Sequence, residues 1–207
     1  NYALEYLGVS IETKKVHYRI TLTGLHAGTI PLYESSDTVA ITAIIAASRI
    51  EGTTVIQFAP PNYQVQDVCF LLQAFGVTID GIGTTTLTIQ GKKEINCTVE
   101  HYNSEDPIES MFFLSAGIVT KSKLTVTRCP IEFLTLELEK LKRMGLIYKQ
   151  SKMYFAKNAK TKLVDITISP SKLVAPHDKI HTQPFPGINN DNLPFFVPIA
   201  CFAEGQT

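Results

Sequence analysis

Residues 39–60 read VAITAIIAASRIEGTTVIQFAP: an apolar run, an Arg-Ile-Glu-Gly exit, a β-branched strand and a terminating proline. From Val39 to Ala47 only Thr42 interrupts the apolar side chains, and Ser48 is the next polar break. A helix over Thr38 to Arg49 therefore has almost no polar face, and the pattern predicts burial on most of its sides. Residues 109–130, ESMFFLSAGIVTKSKLTVTRCP, repeat the order and end on Pro130 as the first run ends on Pro60. Here Ser115, Ala116 and Gly117 permit close approach of a neighbour. A third, partial copy is LPFFVPIACFAEGQT at 193–207.

Two other features recur between these runs. Gln64 to Phe75 carries one apolar stripe (Val65, Val68, Leu71, Leu72, Phe75), and Glu132 to Met144 carries another (Phe133, Leu134, Leu136, Leu138, Leu141), which predicts covering helices. Each is followed by a Gly-led pair of short alternating strands, in QAFGVTIDGIGTTTLTIQG at 73–91 and KRMGLIYKQSKMYFA at 142–156; YLGVSIETKKVHYRITLTG at 6–24 opens the chain the same way. The leading glycines, Gly8, Gly76 and Gly145, are 68 and 69 residues apart. Periodicity at this length is the mark of a repeated folding module, read here as βαβαββ. The fold expected is α/β (α+β): an inside-out barrel of such units, with one helix of each unit inside and the sheets and second helix outside. Residues 1–100 hold the end of one unit and a full one, and 101–207 hold a full unit and the start of another. Both ends interrupt a unit, so the pattern reads as a piece of a longer repeat protein, a rearranged version of one, or a permuted globule of three units.

The composition places few limits on function. Nineteen basic side chains balance nineteen acidic ones, so no overall field favours nucleic acid or a membrane surface. The four cysteines, Cys69, Cys97, Cys129 and Cys201, form no CxxC pair and read as reduced core residues of a cytoplasmic protein. No apolar run approaches the roughly 20 residues that span a bilayer. His177 and His181 have the spacing of a metal pair but lie in the Pro-rich stretch 170–198, where surface histidines are the simpler reading and no metal is expected. GIGTTT at 81–86 joins two strands and reads as a hairpin turn, not a phosphate loop.

The unit length, EGTTVI at 51–56, DVCFLLQAFGV at 67–77 and above all HTQPFPGINND at 181–191 resemble the enolpyruvyl transferases, whose branch acting on UDP-N-acetylglucosamine carries a T-x-P-x-P-x-x-x-T-D segment. The resemblance implies a two-domain enzyme of peptidoglycan precursor synthesis with no metal and no organic cofactor. Its substrates would be phosphoenolpyruvate and the 3-hydroxyl of UDP-N-acetylglucosamine, and it would need the remainder of the enzyme to complete the site. Asp191 matches the aspartate assigned proton transfer beside the sugar hydroxyl; without the resemblance, Asp191 would read as a helix cap. Glu34, Ser35, Ser36, Asp37 and Thr38 fall where the family contacts the uridine diphosphate at a helix start. Glu34 stands where the family has lysine, and a carboxylate there repels a diphosphate by ~1–4 kcal/mol. Asp106 and Glu109 match an acidic segment opening the second apolar helix, a candidate second-domain cleft, with Pro107 in place of an arginine. The family's cysteine loop has no counterpart among the four cysteines. A catalytically silent scaffold competes with this reading on the strength of Glu34 and Pro107, and a shikimate-pathway transferase is a third.

Overall fold

The computed structural model describes residues 2–176 and 179–206. They fall into two compact units, Asn1–His101 and Tyr102–Thr207, each with its own apolar core.

The first unit opens with a short helix α1 (Tyr2–Glu5) and a two-stranded hairpin, β1 (Val9–Thr13) and β2 (Tyr18–Leu22). There follow β3 (Thr29–Pro31), α2 (Asp37–Ser48), β4 (Gly52–Gln57), α3 (Tyr63–Ala74), β5 (Thr78–Asp80) and β6 (Thr86–Gly91). The sheet order is β3-β4-β6-β5, with β3 parallel to β4 and the other pairs antiparallel. GIGTTT is the turn between β5 and β6, as its glycines predict. Ala40, Ala43, Ile44 and Ala47 of α2 are fully buried, and α3 sends Val65, Cys69 and Leu72 into the same core. The approach of α2 to β6 depends on Gly91, where a Cβ would meet the carbonyl oxygens of Ile50 and Ala47 at 1.9 and 2.3 Å. The core does not surround α2, however: Ile45 is half exposed and Ile41 only partly buried. The apolar character of this helix exceeds what its own unit covers.

The second unit comprises α4 (Pro107–Val119), β7 (Leu124–Pro130), a 3-10 turn at Ile131–Phe133, α5 (Thr135–Arg143), β8 (Ile147–Gln150), β9 (Tyr154–Phe155), β10 (Lys162–Ser169) and α6 (Leu193–Phe202). Asp106 caps α4 by accepting from the Ile108 N–H at 2.8 Å, and Pro107 occupies the first turn, where its missing N–H costs nothing. The sheet runs β7-β10-β8, the same path as β4-β6-β5 in the first unit. A further correspondence lies at the strand exits. Phe58 and Arg128, each two residues before Pro60 and Pro130, have φ of 62° and 61°.

The strand pair expected within 142–156 is not a hairpin. Instead β8 and β9 both run antiparallel to β10, pairing Gln150 with Ile166 and Tyr154 with Leu163. The true turn is Ala156–Thr161, where the Asn158 side chain accepts from the backbone N–H groups of Lys160 and Thr161. An asparagine turn signal thus overrides the polar break at Ser151 and Lys152, and β10 supplies the strand that the alternation alone placed too early. The cysteines also differ from expectation. Cys69 and Cys129 are buried, with burial raising their thiol pKa values to about 12 and about 11, but Cys97 and Cys201 are exposed. Among the described residues no helix is long and apolar enough to cross a membrane.

Candidate functional site

The segment 181–192 carries Asp191 on the surface of the second unit. The segment folds on itself through Gly187 N–H to the Pro184 carbonyl and Gln183 N–H to the Ile188 carbonyl, at 2.9 and 3.1 Å. Ile188 is buried in the core, and the Phe185 ring lies 5.4 Å from that of Phe133. A 3-10 turn over Asn190–Asn192 then leads into α6. Asn189 Oδ1 accepts from the Asp191 N–H at 2.9 Å, and Asn192, not Asp191, stands at the N-cap of α6. Asn189 thus caps the 3-10 turn, and no side chain, Asp191 included, caps α6 itself. Its carboxylate is exposed and, among the described residues, accepts no hydrogen bond.

The start of α2 is arranged in the opposite way. Ser36 Oγ accepts from the Val39 N–H at 3.4 Å, and Asp37 Oδ2 accepts from Asn62 Nδ2 at 2.9 Å. Glu34, Ser35 and Thr38 are exposed. Two of the five predicted diphosphate contacts are thus engaged in capping the helix and joining it to the start of α3.

Asp106 and Glu109 lie together at the start of α4, lining a cleft of about 460 Å³ with Glu105, Ser110, Phe113 and residues 124–128. Its single cationic side chain, Arg128, is paired with Glu105. The left-handed backbone of Arg128 is held by its N–H donating to Asp165 Oδ1 at 3.0 Å, while the Tyr154 hydroxyl donates to the same oxygen at 2.6 Å. These two donors hold the Asp165 carboxyl below the usual range. Strain of this kind is kept only where surrounding contacts over-determine it. The sequence does not single out Arg128 or Asp165, because a left-handed residue and a bulge in β7, with Thr127 and Arg128 opposite Asp165, leave no mark on a period-two alternation.

Glu137 is the second residue that the apolar pattern passes over. It lies three residues after Leu134 and four before Leu141, on the buried face of α5, and is 3% exposed. Its carboxylate accepts from Asn192 Nδ2 at 2.8 Å. The spacing itself is the available signal: an acid on the apolar stripe needs a partner. His177 lies outside the described residues, and among those described no group of three or more His, Cys, Asp or Glu could hold a metal ion.

An α/β chain with this sheet path and a free carboxylate at an apolar helix start can be compared with known proteins. It matches the model of the EPSP synthase (3-phosphoshikimate 1-carboxyvinyltransferase) family over residues 2–206, and it belongs to that family. Among its relatives, the UDP-N-acetylglucosamine 1-carboxyvinyltransferase of Sulfurovum sp. (strain NBC37-1) is 32% identical over 99% of this chain and 46% of its own length. The protein of the same name from Sulfurimonas denitrificans is 33% identical over the same shares. The enolpyruvyl transferase NikO from Streptomyces tendae shares the fold with a TM-score of 0.77 and 22% identity, covering 99% of this chain and 48% of NikO. EPSP synthase from Acinetobacter baumannii shares it with a TM-score of 0.71 and 23% identity, over 100% and 46%. The chain spans about half the length of the curated relatives it matches.

Proposed function

We propose that this chain supplies part of a UDP-N-acetylglucosamine enolpyruvyl transferase, which moves the enolpyruvyl group of phosphoenolpyruvate to the sugar 3-hydroxyl in the cytoplasm for peptidoglycan synthesis. The observation that carries the reading is Asp191: the TQPFPGINND segment ends in an exposed carboxylate that takes no part in capping the turn or the helix that follows. Such a group can accept the hydroxyl proton as the oxygen adds to the phosphate-bearing carbon of the enol double bond while the methylene carbon takes up a proton; loss of inorganic phosphate together with a proton from the resulting methyl group restores the double bond. The chemistry asks for no metal and no organic cofactor. The relatives' shared name supports this substrate pair over shikimate 3-phosphate.

In this reading residues 1–100 and 101–207 are pieces of the two domains of an inside-out barrel built from internal repeats, and the remainder of the enzyme completes the site. The common sheet path and the open flank of α2 support it. Asp106 and Glu109 line its second-domain cleft, and Glu34 to Thr38 lie nearest its diphosphate. The silent-scaffold reading keeps one specific observation in its favour, the internal use of Ser36 and Asp37 beside the acidic Glu34. Titrating the complete protein with UDP-N-acetylglucosamine separates the two. Saturable binding together with phosphate release on adding phosphoenolpyruvate supports the transferase, and absence of both supports the scaffold.

A further inference from the structure

Between α5 and the Asp191 segment lies a polar contact inside an apolar interface. Glu137 and Asn192 are 3% and 0% exposed, and Leu134, Leu138, Leu141, Ile188 and Phe196 of the same core are all buried. Asn192 Nδ2 donates to Glu137 Oε1 at 2.8 Å, and the same carboxylate takes a hydrogen bond from the Asn189 backbone. Asn189 in turn holds the Asp191 N–H through its Oδ1 at 2.9 Å, and its carbonyl accepts from the Asn192 N–H at 3.0 Å. One buried carboxylate therefore grips the residues that flank Asp191 on both sides. The arrangement costs stability: burial pushes the Glu137 carboxyl pKa up, and Asn192 Oδ1 has no hydrogen-bond partner among the described residues. A buried unsatisfied amide oxygen is unfavourable by about 1–3 kcal/mol, and an apolar pair of similar volume would pack here without that penalty. What the polar pair supplies and an apolar pair cannot is directional bonding to two points of one turn.

We infer that Glu137 is a positioning residue, which sets the backbone of Asn189–Asn192 through its two hydrogen bonds and thereby aims the Asp191 carboxylate at its substrate. The inference rests on the transferase reading for what Asp191 does. The anchoring itself rests only on the contacts above. Phe133 against Phe185 holds the far end of the segment, so loss of Glu137 frees the turn at 189–192 without releasing the whole loop.

The test uses the complete protein in four forms: wild type, Glu137→Ala, Glu137→Gln and, as a packing control, Leu138→Ala. Backbone amide exchange is followed by peptide, and phosphate release from phosphoenolpyruvate with UDP-N-acetylglucosamine gives kcat and KM. Glu137→Ala is expected to lose protection at least about 10-fold in the peptides covering 187–193, with α4 and β10 unchanged. Its kcat should fall about 10- to 100-fold with KM for the sugar nucleotide nearly constant, as for a misaimed catalytic group. Glu137→Gln keeps an acceptor for Asn192 and should lie between Ala and wild type in both measurements. Leu138→Ala should lose protection throughout the second unit. Unchanged protection at 187–193 in Glu137→Ala, or a loss as uniform as that of Leu138→Ala, overturns the positioning role, as does a local loss of protection with unaltered kcat in an active enzyme. If the wild type releases no phosphate, the transferase reading has failed and the exchange measurements still decide the anchoring.

Discussion

Three apolar helices of this chain begin beside an aspartate; Asp106 caps α4, and the aspartates at α2 and α6 are used in two further ways. At the start of α2, Ser36 caps the helix and Asp37 is bound to Asn62, so the polar groups of the turn are spent on joining α2 to α3. At the start of α6, Asn189 caps the 3-10 turn, Asn192 turns inward to Glu137 and Asp191 is left exposed. The same residue type at the same kind of position is structural at α2 and α4 and exposed at α6.

The largest effect that this comparison predicts is on turnover. Asp191→Ala in the complete protein should lower kcat by about 10²- to 10⁴-fold, while its unfolding free energy from urea titration stays within about 0.5 kcal/mol of wild type, as for a surface side chain without partners. Leu141→Ala, at a fully buried position of α5, should destabilise by about 2–5 kcal/mol. Each unit also carries one buried and one exposed thiol, so native labelling reports on each core. In Leu141→Ala, labelling of Cys129 should accelerate more than labelling of Cys69. Asp37→Ala breaks a structural contact and should cost about 1 kcal/mol of unfolding free energy in a urea titration with kcat changed less than threefold. A turnover loss in Asp37→Ala as large as that in Asp191→Ala would erase the distinction between the two helix starts.

The smallest effect is a pH slope. Burial raises the Glu137 pKa above its ordinary value of 4.5, so the folded chain keeps this proton over a range where the unfolded chain has released it. The stability contributed is present below the unfolded value and is lost as pH rises through the folded one. Glu137→Gln has no such proton. Its urea midpoint should fall less than that of wild type as pH rises from below 4.5 towards neutrality, and parallel curves would contradict the raised pKa.

Much of this architecture is legible in the sequence because it rests on periodicity. The apolar runs at 39–47 and 111–119, the striped helices α3 and α5 and the Gly-led strands are all patterns of one residue type at one spacing. The width of the second hairpin is not, because a two-stranded alternation looks the same whether its partner is the next strand or the one after, and the Asn158 turn decides it. Asp191 is legible only through the family resemblance, since an Asp before an apolar run ordinarily caps a helix. Arg128 leaves no mark on the pattern, and Glu137 shows only as an acid on an apolar stripe, with nothing to say what it meets. The partner of Glu137 lies 55 residues away, and Arg128 takes a left-handed conformation that its residue type does not announce.

The most direct test of the central claim is phosphate release by the complete protein mixed with phosphoenolpyruvate and UDP-N-acetylglucosamine, with wild type and Asp191→Ala side by side. Release by the wild type that falls at least about 100-fold in the variant, with an unchanged unfolding midpoint, is the predicted result. Equal release by the two proteins would contradict the assignment of Asp191, and no release by a folded wild type would contradict the transferase itself.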